Sequence, residues 1–163
     1  MNMDEQRFRD LTGRFPKMRI LVVGDLMLDR YLYGTVDRIS PEAPVPVVRA
    51  VSEKTMPGGG ANVAANLRSL GAQVDVAGGV GTDAAGGDLV ASLRAGRIGT
   101  RFIRRDPDVP TIVKWRIIAE RQQVVRVDWE GPSSVMRKYP AGWLRTLTQS
   151  VTGYDGVIFA DYG

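Results

Sequence analysis

The chain has 163 residues, 44% hydrophobic and 25% charged, with 22 Lys and Arg against 18 Asp and Glu for a formal net charge of +4. That is the composition of a folded globular domain with a proper core, and no apolar run approaches the roughly 20 residues of a membrane span. There is no Cys and no His, which excludes disulfides, thiol nucleophiles, thiolate or imidazole metal sites and serine–histidine triads, so acid–base work falls to Asp, Glu, Lys or Tyr.

Residues 1–18 read as a polar leader that admits a short helix. It is charged and lacks the apolar centre of a signal peptide, so a cytoplasmic protein is expected. The apolar run Arg19-Ile20-Leu21-Val22-Val23-Gly24-Asp25 reads as a buried central strand, whose polar end is where an open α/β sheet places a ligand. In Ala43-Pro44-Val45-Pro46-Val47-Val48-Arg49-Ala50-Val51 each proline lacks a donor, which predicts an edge strand or an extended arm.

Ala61 to Leu70 reads as a helix with Val63, Leu67 and Leu70 on one face and Gly71 as its stop. Gln73 to Gly78 is a short strand. Thr82 is the expected cap of a second helix, carrying Leu89, Val90 and Leu93 and stopping at Gly96, and Thr100 to Arg104 is another strand.

Thr111 to Glu130 is a hairpin by its period-two alternation. Val113, Trp115, Ile117, Val125, Val127 and Trp129 make an apolar face, and Lys114, Arg116, Arg126 and Asp128 a charged one. A helix with Trp143, Leu144, Leu147 and Val151 at helical spacing follows Pro140. Gly156-Val157-Ile158-Phe159-Ala160-Asp161 is a last buried strand, again ending in Asp. Alternating strands and helices predict a parallel, doubly wound sheet. The proline arm and the two-faced hairpin do not suit such a core and predict a separate small sheet.

The run Met56-Pro57-Gly58-Gly59-Gly60-Ala61-Asn62 sets three glycines against a helix start. It matches neither nucleotide pattern: no G-x-G-x-x-G follows the first strand, and no Gly-Lys pair exists for a phosphate loop. Two readings remain, a turn that lets helix and sheet pack closely and a bare backbone that admits a ligand. Asn62, in the first helical turn among outward N–H groups, favours a ligand. Its amide both donates and accepts, which suits a sugar hydroxyl better than a phosphate.

PGGGANVAANLRSLGAQVDVAGGVG resembles the N-terminal signature of the ribokinase-like (PfkB) carbohydrate kinases. VVGDLMLDRYLYGTVDRISPEAPVPVV, PTIVKWRIIAERQQVVRVDWE and FADYG resemble more closely the kinase domain of the bacterial heptose 7-phosphate kinases, which act on the way to ADP-heptose for lipopolysaccharide. The glycine signature is shared by many sugar kinases, whereas RISPEAPVPVV and the Lys-x-Arg…Gln-Gln…Arg-x-Asp spacing are specific.

The resemblance implies an α/β fold, a doubly wound, Rossmann-like sheet with a small projecting β lid, whose C-terminal half is absent here. Residues 19–163 would be the incomplete kinase domain, with lid segments near 33–52 and 111–129. It implies sugar contacts at Asp25, Asp29, Gly59, Gly60 and Asn62. Lys114, Arg116 and Arg126 would meet the phosphate already on the sugar, with Asp128 holding an arginine, and Asp161 would line the site in an accessory role. The bland reading of the charged face is plain solvation. No catalytic residue is assigned. ATP and Mg²⁺ belong to the second half of a full-length parent, with its Gly-Ala-Gly-Asp type motif, and neither is expected to bind this chain tightly, so the chain alone is expected to be inactive.

The expected partners are a sugar phosphate and a second copy through the lid, with no nucleic acid, since no basic stripe with interleaved aromatics is visible, and no membrane. A non-catalytic sugar-phosphate-binding or dimerising module, and a kinase for another sugar such as fructose phosphate or ribose, stand as alternatives.

Overall fold

The computed structural model describes residues 4–131 and 139–162; Gly163, which closes the FADYG motif, lies outside them. In chain order the elements are α1 (Glu5–Thr12), β1 (Arg19–Gly24), β2 (Leu26–Ile39), β3 (Pro46–Gly59), α2 (Gly60–Ser69), β4 (Gln73–Gly81) and α3 (Ala84–Ala95). There follow β5 (Gly99–Asp106), β6 (Ile112–Ala119), β7 (Gln122–Trp129), α4 (Ala141–Ser150) and β8 (Gly156–Ala160).

The first sheet has the order β5-β4-β1-β8, and all its neighbours are parallel. Because side chains alternate along a strand, Val22, Val74 and Val76 point to one face, where Ala61 and Ala64 of α2 and Leu89 and Leu93 of α3 cover them. Leu21, Ala77 and Phe102 point to the other face, against Leu147 of α4. Helices on both faces make the sheet doubly wound. Among the described residues β4 and β5 lie on one side of β1 and β8 on the other, so the winding reverses beside β1. In open α/β sheets ligands bind at the carboxyl ends of the strands beside such a reversal.

The second sheet has the order β3-β2-β6-β7: β2 runs antiparallel to β3 and parallel to β6, and β6 and β7 form a hairpin. The hairpin turns at Glu120 and Arg121, both at positive φ (48° and 65°), the geometry whose twist matches paired strands. Its outer strand β3 contains Pro46 and Pro57 and is an edge, as a donor-poor strand should be.

Several elements differ from the sequence expectation. Pairing in the second sheet starts at Leu26, well before residue 33. Leu26, Met27 and Leu28 are all buried, so the root of β2 is apolar on both faces and shows no period two. Burying a leucine contributes about 1.5–3 kcal/mol, and Leu26 and Leu28 together root this sheet in the main core. β4 runs on to Gly81, α2 begins at Gly60, and the cap of α3 is Asp83 in place of Thr82. Gly96 ends α3 at φ −74°, and the left-handed residue is the next one, Arg97, at φ 57°.

Candidate functional site

A single residue, Asp25, carries the chain from the first sheet to the second, between Gly24 of β1 and Leu26 of β2. Its N–H donates to the Ala160 carbonyl at the end of β8 (3.0 Å), and its carbonyl accepts the Gly60 N–H (2.8 Å). Its carboxylate Oδ2 accepts the Tyr162 N–H at 3.1 Å. Asp25 therefore ties together β1, β8, the strand leaving for the second sheet and the first turn of α2.

The three glycines follow from this crowding. Gly59 sits at φ 54°, ψ −133°, a conformation that side chains resist, and a Cβ there would lie 2.6 Å from the Asp25 carbonyl oxygen. A Cβ on Gly58 would lie 2.9 Å from both the Asp29 carboxylate and Met27. Gly60 is more relaxed, with its nearest neighbours at 3.3 and 3.4 Å. The run is the end of strand β3 and the first residue of α2, packed on Asp25, Met27 and Asp29. Close packing alone thus accounts for Gly58 and Gly59.

Asn62 is exposed in the first turn of α2, and among the described residues its side chain has no hydrogen-bond partner. Asp161 is exposed just beyond β8, one residue after the carbonyl that Asp25 holds.

The remaining candidates share one face of the second sheet. Asp29 lies opposite Lys114, Tyr31 opposite Arg116, Lys114 opposite Asp128 and Arg116 opposite Arg126. Lys114, Arg116 and Arg126 on this face each have an acid. Arg116 Nη1 donates to Asp29 Oδ1 at 2.5 Å, and its guanidinium lies 5.3 Å from the Tyr31 ring centre. Lys114 Nζ donates to Glu130 Oε1 (2.6 Å) and Asp128 Oδ2 (3.1 Å). Arg126 Nε pairs with Asp128 Oδ1 at 2.9 Å.

The hydrogen bond to Asp29 raises the Arg116 pKa, and the one to Glu130 raises that of Lys114, each against the opposing effect of burial. Burial pushes Asp128 up, but the hydrogen bonds from Lys114 and Arg126 outweigh it and hold the carboxyl below its ordinary value. Two features are not expected from sequence: Asp29 lies within β2 and is bonded to Arg116, and Lys114, Arg116 and Arg126 form a ladder with the three acids Asp29, Asp128 and Glu130. Glu130 and the Asp29–Arg116 pairing escape sequence reasoning, the latter because its partners are far apart along the chain.

The face is continuous with the glycine run, since the Asp29 carboxylate lies over Gly58. Asp25, Gly59 and Gly60 thus adjoin, through Gly58, the Asp29–Arg116 pair at the root of the second sheet, and Asn62 follows two residues after Gly60. The opposite face divides in two. Leu28 and Val113 pack into the main core, while Val125 and Trp129 are 43% and 60% exposed.

A second knot fastens this sheet. Asp83 caps α3 by accepting the Gly86 N–H (2.8 Å) and also accepts the Thr111 N–H (2.8 Å) and hydroxyl (2.7 Å) at the start of β6. The Thr111 hydroxyl oxygen accepts the Gly81 N–H at 2.8 Å. Sequence reasoning does not find this knot, because Thr111 lies 28 positions from Asp83 along the chain.

Among the described residues no group of three or more acidic side chains is placed to hold a metal ion, and no helix is long and apolar enough to cross a membrane.

Residues 17–144 match the family model described as pfkB family carbohydrate kinase. A protein of Pseudomonas aeruginosa named Bifunctional protein HldE is 52% identical over 150 residues, 92% of this chain and 31% of that protein. One of the same name from Trichlorobacter lovleyi is 42% identical over 160 residues, 98% of this chain and 33% of that protein. The chain thus spans about a third of these relatives' length. Among solved structures, a putative ribokinase from Agrobacterium tumefaciens superposes with a TM-score of 0.67 at 18% identity, covering 87% of this chain and 44% of that one. A carbohydrate kinase from the same organism gives 0.62 at 20% identity, covering 87% and 45%. At such identities these structures support the fold alone.

Proposed function

The chain belongs to the pfkB family of carbohydrate kinases, and from that premise we propose that it is the acceptor-sugar-binding part of an ATP-dependent kinase for heptose 7-phosphate, in ADP-heptose formation for the lipopolysaccharide core. The observation that carries this reading is the Asp25 junction at the reversal of the first sheet, where Gly59 and Gly60 pack on the Asp25 carbonyl and the exposed amide of Asn62, without a partner among the described residues, follows in the first turn of α2. Sugar hydroxyls donate to the Asp25 carboxylate, whose orientation the Tyr162 N–H fixes, and exchange hydrogen bonds with Asn62. A hydroxyl on a carboxylate is a charge-assisted bond of about 1.5–3 kcal/mol.

The sugar's existing phosphate lies over the charged face. Lys114 has three donors and gives two to Asp128 and Glu130, leaving one. Arg116 gives Nη1 to Asp29 and keeps further N–H groups. The acids hold these cations extended over the face, and they also weaken the phosphate's hold by sharing the same donors. Arg126 contributes from the neighbouring strand, and Asp161 lines the end of β8. The specific motifs RISPEAPVPVV and Lys-x-Arg…Gln-Gln…Arg-x-Asp support a heptose phosphate as the acceptor.

In the reaction the acceptor hydroxyl oxygen bonds to the γ-phosphorus of ATP as the bond to ADP breaks, and the hydroxyl proton passes to a base. That base, the ATP site and the Mg²⁺ site belong, on this reading, to parts of a full-length parent beyond these residues. On this reading the chain by itself is inactive, works in the cytoplasm, and pairs with a second copy through Val125 and Trp129 of the second sheet, which then acts as a lid.

Calorimetry of this chain with heptose 7-phosphate, fructose 6-phosphate and ATP is the test. The expected result is binding of sugar phosphate, tightest for heptose 7-phosphate, with no tight binding of ATP. ATP bound tightly with no sugar bound would overturn the assignment.

A further inference from the structure

At the opposite end of the first sheet, where β1, β4 and β5 begin, lies a cavity of about 270 Å³ lined by Arg19, Arg68, Gln73, Asp75, Arg97 and Tyr154. We propose that this cavity is a binding site for a small phosphate-bearing anion, held by the guanidinium groups of Arg19, Arg68 and Arg97. It stands apart from the candidate sugar site, since a six-residue strand such as β1 separates its two ends by about 20 Å.

Three arginines line this cavity from three places: the start of β1, the end of α2 and the turn that follows α3. Arg68 is anchored by Nη1 to the Ala72 carbonyl at 2.9 Å, which leaves the rest of its fork available. The Arg19 guanidinium lies over the Tyr154 ring at 5.3 Å, and its side chain makes no ion pair among the described residues. Arg97 likewise has no side-chain partner among them. A planar carboxylate needs only one fork. Three forks from different directions suit a tetrahedral anion.

The one acid in the wall is committed elsewhere. Tyr154 donates its hydroxyl to Asp75 Oδ2 at 2.5 Å, and Arg101 donates to the Tyr154 oxygen at 2.8 Å. Asp75 Oδ1 fills the space a Cβ on Gly99 would need, only 1.5 Å from that position. Burial first, and then the bond to Asp75, push the Tyr154 phenol up, so it stays a neutral donor. The C-termini of α2 and α3 add about half a negative charge each, which with Asp75 still leaves the three arginines in surplus.

The backbone of Arg97 is the second, independent sign. The residue after a helix C-cap is commonly left-handed and usually glycine. After α2 the chain obeys, with Gly71 at φ 101°; after α3 it places Arg97 there at φ 57°, directly behind a glycine that is not left-handed. The left-handed region disfavours non-glycine residues, and the strain is retained at a residue that lines the cavity.

The test is calorimetric titration of the full chain with inorganic phosphate and with pyrophosphate, repeated on Arg97→Gly, Arg19→Gln and Lys114→Gln. Arg97→Gly removes the cation while relieving the backbone, so its melting temperature should hold or rise. The expected result is saturable binding, weakened at least fivefold by Arg97→Gly and by Arg19→Gln and changed less than twofold by Lys114→Gln. No saturable binding, a smaller loss in the two cavity variants, or a loss confined to Lys114→Gln would overturn the proposal. The last outcome would assign the phosphate to the charged face of the second sheet.

Discussion

The carbonyl of Asp25 accepts the N–H of Gly60 at 2.8 Å, closing the first turn of α2 onto the end of β1 and leaving Gly59 pinched between them. The strain belongs to one position. Gly59→Ala forces a Cβ to 2.6 Å from that carbonyl at φ 54°, whereas Gly60→Ala meets nothing closer than 3.3 Å and gains helix propensity. Gly59→Ala should cost about 1–3 kcal/mol and Gly60→Ala distinctly less, measured by urea denaturation. Equal losses would mean that crowding at Asp25 does not set the glycine requirement.

The Asp83–Thr111 knot should behave as a structural fastener. Asp83→Ala removes a helix cap, about 1 kcal/mol, and strands two donors of Thr111, which is 1% exposed. An unsatisfied buried donor costs about 1–3 kcal/mol, so with the cap and two donors a total of about 3–7 kcal/mol is expected. Burial alone would raise the Asp83 pKa, but the hydrogen bonds from Thr111 and Gly86 outweigh it and hold the carboxyl below its ordinary 3.8. The folded value lies below the unfolded one. The contribution is therefore fully present above about pH 4 and fades as pH falls through the folded value. Thermal melts of the wild type should show this acid loss, and melts of Asp83→Asn should lack it.

How much of this was legible in sequence depends on how each strand is buried. β1 and β8 read as apolar runs because helices cover both faces of their sheet, and β6 and β7 alternate because one face is charged. β2 hides because its root, Leu26 to Leu28, is apolar on both faces, and the part of β3 beyond Val51 because it is largely exposed on both and interrupted by Pro57. The site was legible as residue types, and of its pairings only that of Asp128 with an arginine was legible too. Asp29 and Arg116 stand 87 positions apart, and only the parallel pairing of β2 with β6 brings them together, so no local pattern announces that the cations are already neutralised.

Asn62→Ala separates the sugar reading from a packing role. Asn62 is exposed and unpartnered among the described residues, so the melting temperature should stay within the roughly 0.5 kcal/mol typical of surface changes. Losing one or two neutral hydrogen bonds, at about 0.5–1.5 kcal/mol each, should weaken sugar binding roughly five- to tenfold and leave ATP use by the full-length parent unchanged. Parallel loss of sugar and ATP would point to a collapsed helix end instead.

Trp129→Glu addresses the second sheet's apolar face. Trp129 is 60% exposed beside Val125 at 43%, an arrangement that a second copy would cover. An interface tryptophan at a central position is worth about 2 kcal/mol or more, so the variant should raise the dimer dissociation constant roughly thirtyfold without lowering the melting temperature. Sedimentation velocity over a concentration series would read this, and identical profiles for both proteins would place any interface elsewhere.

Lys114 is the sharpest probe of the charged face, because its ammonium bridges Asp128 and Glu130 while retaining one donor. If that donor meets the sugar's phosphate, Lys114→Ala removes a charge-assisted bond of about 1.5–3 kcal/mol and leaves Asp128 and Glu130 facing the phosphate. In the full-length parent the preference for the phosphorylated over the unphosphorylated sugar should then fall roughly 10- to 100-fold in kcat/KM, mostly through KM. Added salt should narrow the gap between variant and wild type, since partly exposed charges are screened. An ion pair that only braces the hairpin gives a different pattern: lower stability with the sugar preference intact. Measuring both sugars at two ionic strengths, alongside a urea melt, separates the two roles.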